Sequence, residues 1–331
     1  MSRRQGSIAA AVTLFFVAPL VAEFLLGDFS IAMLGLLLLF APMYGGGAVL
    51  IRETARRCGR GWPSMLLLAA AYALLEEGFT TQSLFNPNYL HMHFLRYAWV
   101  PALGIGGWWT MLMLNVHVFW SMGVSIALVE GLFPSRTREP WLGKVGTSAM
   151  AALFVAGVAI GVVIGLHQSH FHASPVQFVI TGVLCLLLIG AAFAVPRPAE
   201  KRGLLPVPSP WGTGCGAFVL GAFVFLAFPM LGWGAVVIMA IADLLFLVFL
   251  WGLSRRRDWT PLHTLSVGAG GAIFYGVHAF IGHPVVPSPL WVVRAGGVVF
   301  LAAAVTVIAV AARRTRAWMA AQQNSATVVQ A

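Results

Sequence analysis

Ten apolar stretches of about twenty residues each follow one another along this chain, and no water-soluble fold can bury so many. Their approximate limits are 8–27, 31–51, 63–85, 107–131, 145–166, 176–195, 211–230, 232–254, 262–282 and 289–312. At about 1.5 Å of rise per residue, such a helix crosses the roughly 30 Å hydrocarbon core of a bilayer. None of the stretches alternates in the manner of a strand, and backbone groups in lipid must be bonded within their own segment. The expected fold class is therefore all-α: a polytopic transmembrane helix bundle of about ten helices, with residues 1–331 as one integral membrane domain. Charged residues make up only 9% of the chain, against about 25% in soluble domains, so lipid must be the solvent for most of the surface.

The net charge of +10 would suit nucleic acid, but its distribution argues for membrane topology instead. With the N-terminus inside, 18 of the 20 basic residues fall on the cytoplasmic side, and only Arg96 and Arg294 fall toward the other. The expected protein is thus a multi-pass plasma (inner) membrane protein with both termini cytoplasmic. Its partner is the lipid bilayer, with no nucleic acid. The first stretch follows Met1-Ser-Arg-Arg and is long enough to span, with no clear small-residue cleavage site after it, so it reads as a helix and not a signal peptide. Cys58, Cys185 and Cys215 show neither CxxC spacing nor a disulfide framework. The division between the seventh and eighth stretches, near Pro229, is marked by no charge. The loop near 86–106 is rich in aromatics and predicts a re-entrant or surface-lying segment, and the loop near 196–210 is rich in proline.

A charge inside a span costs a few kcal/mol or more, so each one points to a role. The candidates are Glu23, Glu76, Glu77, His117, Asp243, His278 and Arg294. Glu53 and Glu130 lie near the cytoplasmic edge, where solvation accounts for them. Glu76 and Glu77 are adjacent and followed by Gly78, which could break the helix and let both carboxylates serve one spot. A buried carboxylate pair suits a general base acting on water. His117 shares a helix face with Ser121, at i+4, and His278 lies near the outer end of the ninth stretch. By rise per residue these groups fall at similar depth, in the outer half of the membrane. Asp243 reads equally as a proton or cation site and as a helix-to-helix hydrogen bond. An ion pair with Glu23 or Glu77 is the simplest account of Arg294.

Six of the nine histidines fall in outer loops, and His167-Gln-Ser-His-Phe-His has the density of a metal cluster. His167, His170 and His172 are thus candidate ligands for a divalent metal such as zinc, although no carboxylate or cysteine accompanies them. A solvated loop that titrates in the ordinary histidine range is the other reading.

Glu76-Glu77, His117 and Phe274-Tyr-Gly-Val-His278 stand in an order that resembles the motifs of the CPBP (CAAX-protease and bacteriocin-processing) family of intramembrane proteases. The resemblance implies a glutamate-activated water that cleaves a peptide bond within the membrane, with Glu76 or Glu77 as the base. It also implies that His117 and His278 orient the water or the oxyanion. The chain departs from that pattern in having Gly-Phe-Thr-Thr-Gln after Glu77 and Gly282 four residues after His278. Stretches such as Ile51-Arg-Glu-Thr-Ala-Arg-Arg and Ser83-Leu-Phe-Asn-Pro look like those of uncharacterised bacterial membrane proteins.

Three functions follow. One is an intramembrane hydrolase, a glutamate-dependent protease using Glu76, Glu77, His117 and His278 on a membrane-embedded peptide or small-molecule substrate. Another is a proton- or cation-coupled transporter or channel using Glu76, Glu77 and Asp243. The last is a non-catalytic membrane scaffold or sensor that reads pH or metal through its loop histidines.

Overall fold

The computed structural model describes residues 3–196 and 206–330. Arg197, Lys201 and Arg202, and with them most of the proline-rich loop, lie outside the described residues. Among the described residues, ten helical rods account for the ten apolar stretches. They are α1 (Gln5–Leu25), α2 (Ile31–Arg57), α3 (Trp62–Leu75, prolonged by a wide turn Glu76–Thr80), α4 (Gly107–Leu132) and α5 (Lys144–Ser169). The others are α6 (Pro175–Ala194), α7 (Pro210–Leu226), α8 (Trp233–Ser254), α9 (Pro261–His278) and α10 (Leu290–Gln330).

Seven of the ten, α1, α2, α4, α5, α6, α8 and α10, are by themselves long and apolar enough to cross a membrane. The expected all-α polytopic bundle of about ten helices is what the described residues form, with α3, α7 and α9 its shorter or more polar rods. α7 has only 17 residues, while α3 runs into two glutamates and α9 carries His263, Thr264, Ser266 and His278. The unmarked division between α7 and α8 is real: a single turn Pro229–Leu231 leads into Gly232, whose φ of 55° favours glycine. Proline also opens α6, α7 and α9, where its missing N–H costs no helical hydrogen bond.

α4 is the central rod. In its most apolar stretch 72% of residues are buried, against 6% in α5 and 6% in α8. Val155, Leu186, Leu187, Leu245 and Val248 are exposed, so the outer rods present apolar side chains where a soluble protein would place charge. One core lies between α4, α7, α9 and α10 and the other between α1, α2, α3 and α4.

Small residues let the inner rods approach closely, as expected where lipid provides no hydrophobic drive between helices. A Cβ at Gly45 would lie 1.9 Å from the main-chain oxygen of Phe15, and one at Gly270 would lie 2.0 Å from that of Gly214. Gly45→Ala therefore has to move α2 away from α1, and overpacking of this kind costs about 1–3 kcal/mol. Its melting temperature in detergent is expected to fall by several degrees. Gly35→Ala, where a Cβ meets nothing within 4 Å, should leave it unchanged. Equal behaviour of the two variants would contradict this packing.

At the arginine-rich end the sequence reading of Glu53 and Glu130 needs correction. Neither is solvated: they are 0% and 5% exposed, and Arg52 beside them is 0% exposed. Arg52 pairs with Glu53 and Glu130, each at 3.2 Å, and donates to the main-chain oxygens of Glu139, Arg136 and Thr137. Its guanidinium lies 3.6 Å from the Trp141 ring centroid. Arg56 takes the other oxygen of Glu130 at 2.8 Å, while Glu53 accepts the main-chain N–H groups of Trp141 and Leu142. The segment after α4 folds back over the helix ends and excludes the water that the sequence reading supplied.

At the opposite end the 86–106 loop is a folded cap. It contains two short turns and a two-stranded ribbon in which β1 (Trp99–Val100) runs antiparallel to β2 (Ile105–Gly106). Phe94 stacks on Trp109 with centroids 4.2 Å apart, and Trp108 and Trp109 anchor the cap on α4.

Candidate functional site: a buried Glu–His–Glu centre

Four rods widen locally from α-helical to π-helical turns, at Leu20–Leu25 in α1, Ala41–Gly45 in α2, Glu76–Thr80 after α3 and Val116–Val124 in α4. Each widened turn carries a polar residue of the site: Glu23, Tyr44, Glu76 with Glu77, and His117 respectively. Such turns cost regular hydrogen bonding and occur mostly where a function requires them. The five-residue spacing is visible in the bond from the Thr81 N–H to the Glu76 main-chain oxygen at 2.8 Å. Gly78 does not break the helix. Its missing side chain admits Thr181 of α6, which would lie 2.6 Å from a Cβ there.

Adjacent glutamates on a helix diverge, and one imidazole accommodates the divergence by facing each with a different nitrogen. His117 Nε2 lies 2.7 Å from Glu77 Oε1, and His117 Nδ1 lies 3.3 Å from Glu76 Oε2. The three residues are 4%, 6% and 2% exposed for His117, Glu77 and Glu76. The two carboxylates are held very differently. Glu77 Oε2 accepts the hydroxyls of Ser83 and Thr81, the latter at 3.0 Å. The Trp109 indole N–H donates to Ser83 Oγ at 3.0 Å, which commits the Ser83 proton to Glu77. With one oxygen taking hydroxyl protons, Glu77 acts as an acceptor and fixes the His117 tautomer with its proton on Nε2. Glu76 is the freer partner. The hydroxyls of Tyr44 and Tyr72 lie beside it, and Tyr44 also reaches Glu23. Glu76 Oε2, His117 Nδ1 and the Tyr72 hydroxyl nonetheless lack a well-formed hydrogen bond.

The structure brings together Glu76, Glu77 and His117, with Glu23 next to them. Ser121 is fully buried but turns to the Val116 main-chain oxygen, at 3.2 Å. His278 is elsewhere: its ring packs on Phe225 at 4.6 Å and Phe274 at 5.9 Å, and it bonds to the main chain at Leu26. Asp243 accepts from Asn115 Nδ2 at 2.9 Å, the helix-to-helix hydrogen bond that was one of its two readings. Arg294 is exposed, so the expected pairing with Glu23 or Glu77 is replaced by Tyr44 for the first and by His117, Ser83 and Thr81 for the second. His167, His170 and His172 do not gather their ring nitrogens into a ligand group. Among the described residues the one such group is Glu76, Glu77 and His117, whose ligand atoms lie within 4.8 Å of one another.

Sequence reasoning passed over Tyr44, Tyr72, Thr81, Ser83 and Trp109. The tyrosines had a signal: the chain has only 5, and a phenol in mid-span needs a partner. Thr81 and Ser83 sit just past the glutamates, in a stretch that reads as an ordinary helix end.

Fold and site together define an all-α polytopic membrane protein with a carboxylate–imidazole centre sealed inside its bundle. The chain belongs to a family described as an uncharacterized membrane protein family, whose model matches residues 12–331. No curated protein and no solved structure matches it significantly. The comparisons add nothing to the resemblance to the CPBP proteases, and the second motif of that resemblance ends in the histidine that lies outside the centre.

Proposed function

We propose that this protein is an intramembrane hydrolase in which Glu76 is the general base for water, His117 its proton partner, and Glu77 the group that orients the imidazole. The observation that carries this reading is the convergence of donors on Glu77, from Ser83 (itself held by Trp109), from Thr81 and from His117 Nε2, which leaves the second imidazole nitrogen facing a Glu76 oxygen with no well-formed hydrogen bond. Catalytic centres commonly pair a free reactive group with a histidine held by a saturated carboxylate. A water that gives its proton to Glu76 becomes the nucleophile, and the proton can pass through His117 to the leaving group. A peptide bond within the membrane is the first substrate to test, because the motif order suggests it. With the basic loops in the cytoplasm, the site falls in the outer half of the bilayer. Coupled transport is the weaker reading, since Asp243 is engaged with Asn115 rather than with the centre.

The test needs no prior substrate. Membrane peptides with newly formed N-termini are compared by mass spectrometry between cells expressing the wild type and cells expressing Glu76→Gln at equal level. New termini present with the wild type and lost with the variant are expected. Identical peptide sets from the two would overturn the proteolytic reading.

A further inference from the structure

The three orphaned atoms at the centre share a location, and that carries a second conclusion about the same residues. Glu76 Oε2 and His117 Nδ1 face each other at 3.3 Å without a proper hydrogen bond, and the Tyr72 hydroxyl beside Glu76 is also unsatisfied. All three residues are at least nine-tenths buried. An unpaired buried polar atom costs about 1–3 kcal/mol, and three in one place call for a common partner. A separation of 3.3 Å between an oxygen and a nitrogen is the bite that two ligands make around an ion with bond lengths near 2.0–2.2 Å. The other face of the imidazole is already arranged for such a role. A metal-bound histidine almost always donates its second N–H to a carboxylate or carbonyl, and here Nε2 faces Glu77 at 2.7 Å.

We infer that the centre binds a divalent first-row transition metal, with Glu76 Oε2 and His117 Nδ1 as ligands and Glu77 holding the histidine in place. The mixed oxygen and nitrogen donors suit Zn²⁺, Mn²⁺ or Fe²⁺ and offer no soft sulfur ligand. The inference concerns the same two atoms as the proposed proton relay, so ligation at His117 Nδ1 and Glu76 Oε2 would take the place of that relay; it does not depend on hydrolysis, because binding is measured directly. A metal at this place would replace the outer-loop histidines as the metal site of the protein.

The measurement is metal content and metal-dependent stability of the full chain purified in detergent without chelator. About one equivalent of metal per chain is expected. After stripping with chelator, added Zn²⁺ should raise the melting temperature, and added Co²⁺ should develop visible absorption. Glu76→Gln and His117→Ala should lose both responses, while Glu77→Gln should weaken affinity by about 10–100-fold, as loss of an orienting carboxylate does. A triple variant of His167, His170 and His172 to alanine should behave as the wild type. The inference is overturned if the folded wild type takes up no metal, or if binding survives in Glu76→Gln and His117→Ala but disappears in the triple variant. Absence of metal together with loss of hydrolysis in Glu76→Gln would leave the proposed function standing without it. Metal bound at the centre with no hydrolysis in any assay would do the reverse.

Discussion

Replacing Glu76 by glutamine is expected to slow hydrolysis by about 10²–10⁴-fold, the contribution of a positioned general base, while the chelator-treated protein keeps the melting temperature of the chelator-treated wild type within a few degrees. The two halves of that expectation follow from the same geometry. Glu76 Oε2 has no well-formed hydrogen bond to lose, and an amide of the same shape keeps an oxygen for the Tyr44 and Tyr72 hydroxyls beside it, so the packing stays intact. The same change at Glu77 should behave differently. Its carboxylate accepts from Ser83, Thr81 and His117, and a glutamine at this position would turn an NH₂ group toward at least one of those donors. Glu77→Gln is thus expected to lose both stability and activity. Initial rates and thermal unfolding, measured on both variants in the same detergent, separate the base from the orienting residue. If Glu76→Gln melted far below the wild type with both stripped of metal, Glu76 would be a structural carboxylate and not a free base.

The second large effect lies at the opposite end of the bundle. Arg52→Ala is expected to destabilise the protein by about 3–5 kcal/mol, the cost of breaking a buried ion pair by removing one partner. Glu53 would keep the main-chain N–H groups of Trp141 and Leu142 and the more distant Arg57, and the main-chain oxygens of Arg136, Thr137 and Glu139 would each lose the Arg52 donor. Arg52→Lys should recover little of this. A point-like ammonium cannot bond two carboxylates and three carbonyls at once, and it loses the flat stacking on Trp141. Limited proteolysis gives a local readout, with cleavage between Phe133 and Leu142 appearing in both variants before global unfolding. Protection of that segment equal to the wild type would show that the clamp is not what holds it. Tyr44 lies about two helical turns along α2 from Arg52, so the clamp also sets the depth of one side chain of the centre.

These two regions differ in how far they could be read from the amino acids. The bundle was legible because lipid leaves little choice: apolar runs of about twenty residues become helices, and even α3 and α9, diluted by polar residues, do so. The grouping of Glu76, Glu77 and His117 was legible as shared depth along neighbouring rods. His278 has a similar apparent depth but points into the Phe225–Phe274 aromatic cluster, because depth says nothing about which way a side chain faces. The widened turns at Glu23, Tyr44, Glu76 and His117 leave no periodic signature, since one extra residue per turn looks like scatter in an almost uniformly apolar helix. The Arg52 clamp was misread for a different reason. Glu53 and Glu130 sit at span ends, where water is the default partner, and only the return of residues 133–142 removes it.

The account depends most on Glu76 and His117 acting as one unit, and a double-mutant cycle on the hydrolysis rate tests this directly. Glu76→Gln, His117→Ala and the double variant are compared with the wild type on a substrate identified by its new N-terminus. Residues that act together are strongly non-additive, so the double variant should be no slower than the slower single variant by more than a small factor. Losses that multiply in the double variant, or a wild-type rate in either single variant, would contradict a shared Glu76–His117 centre.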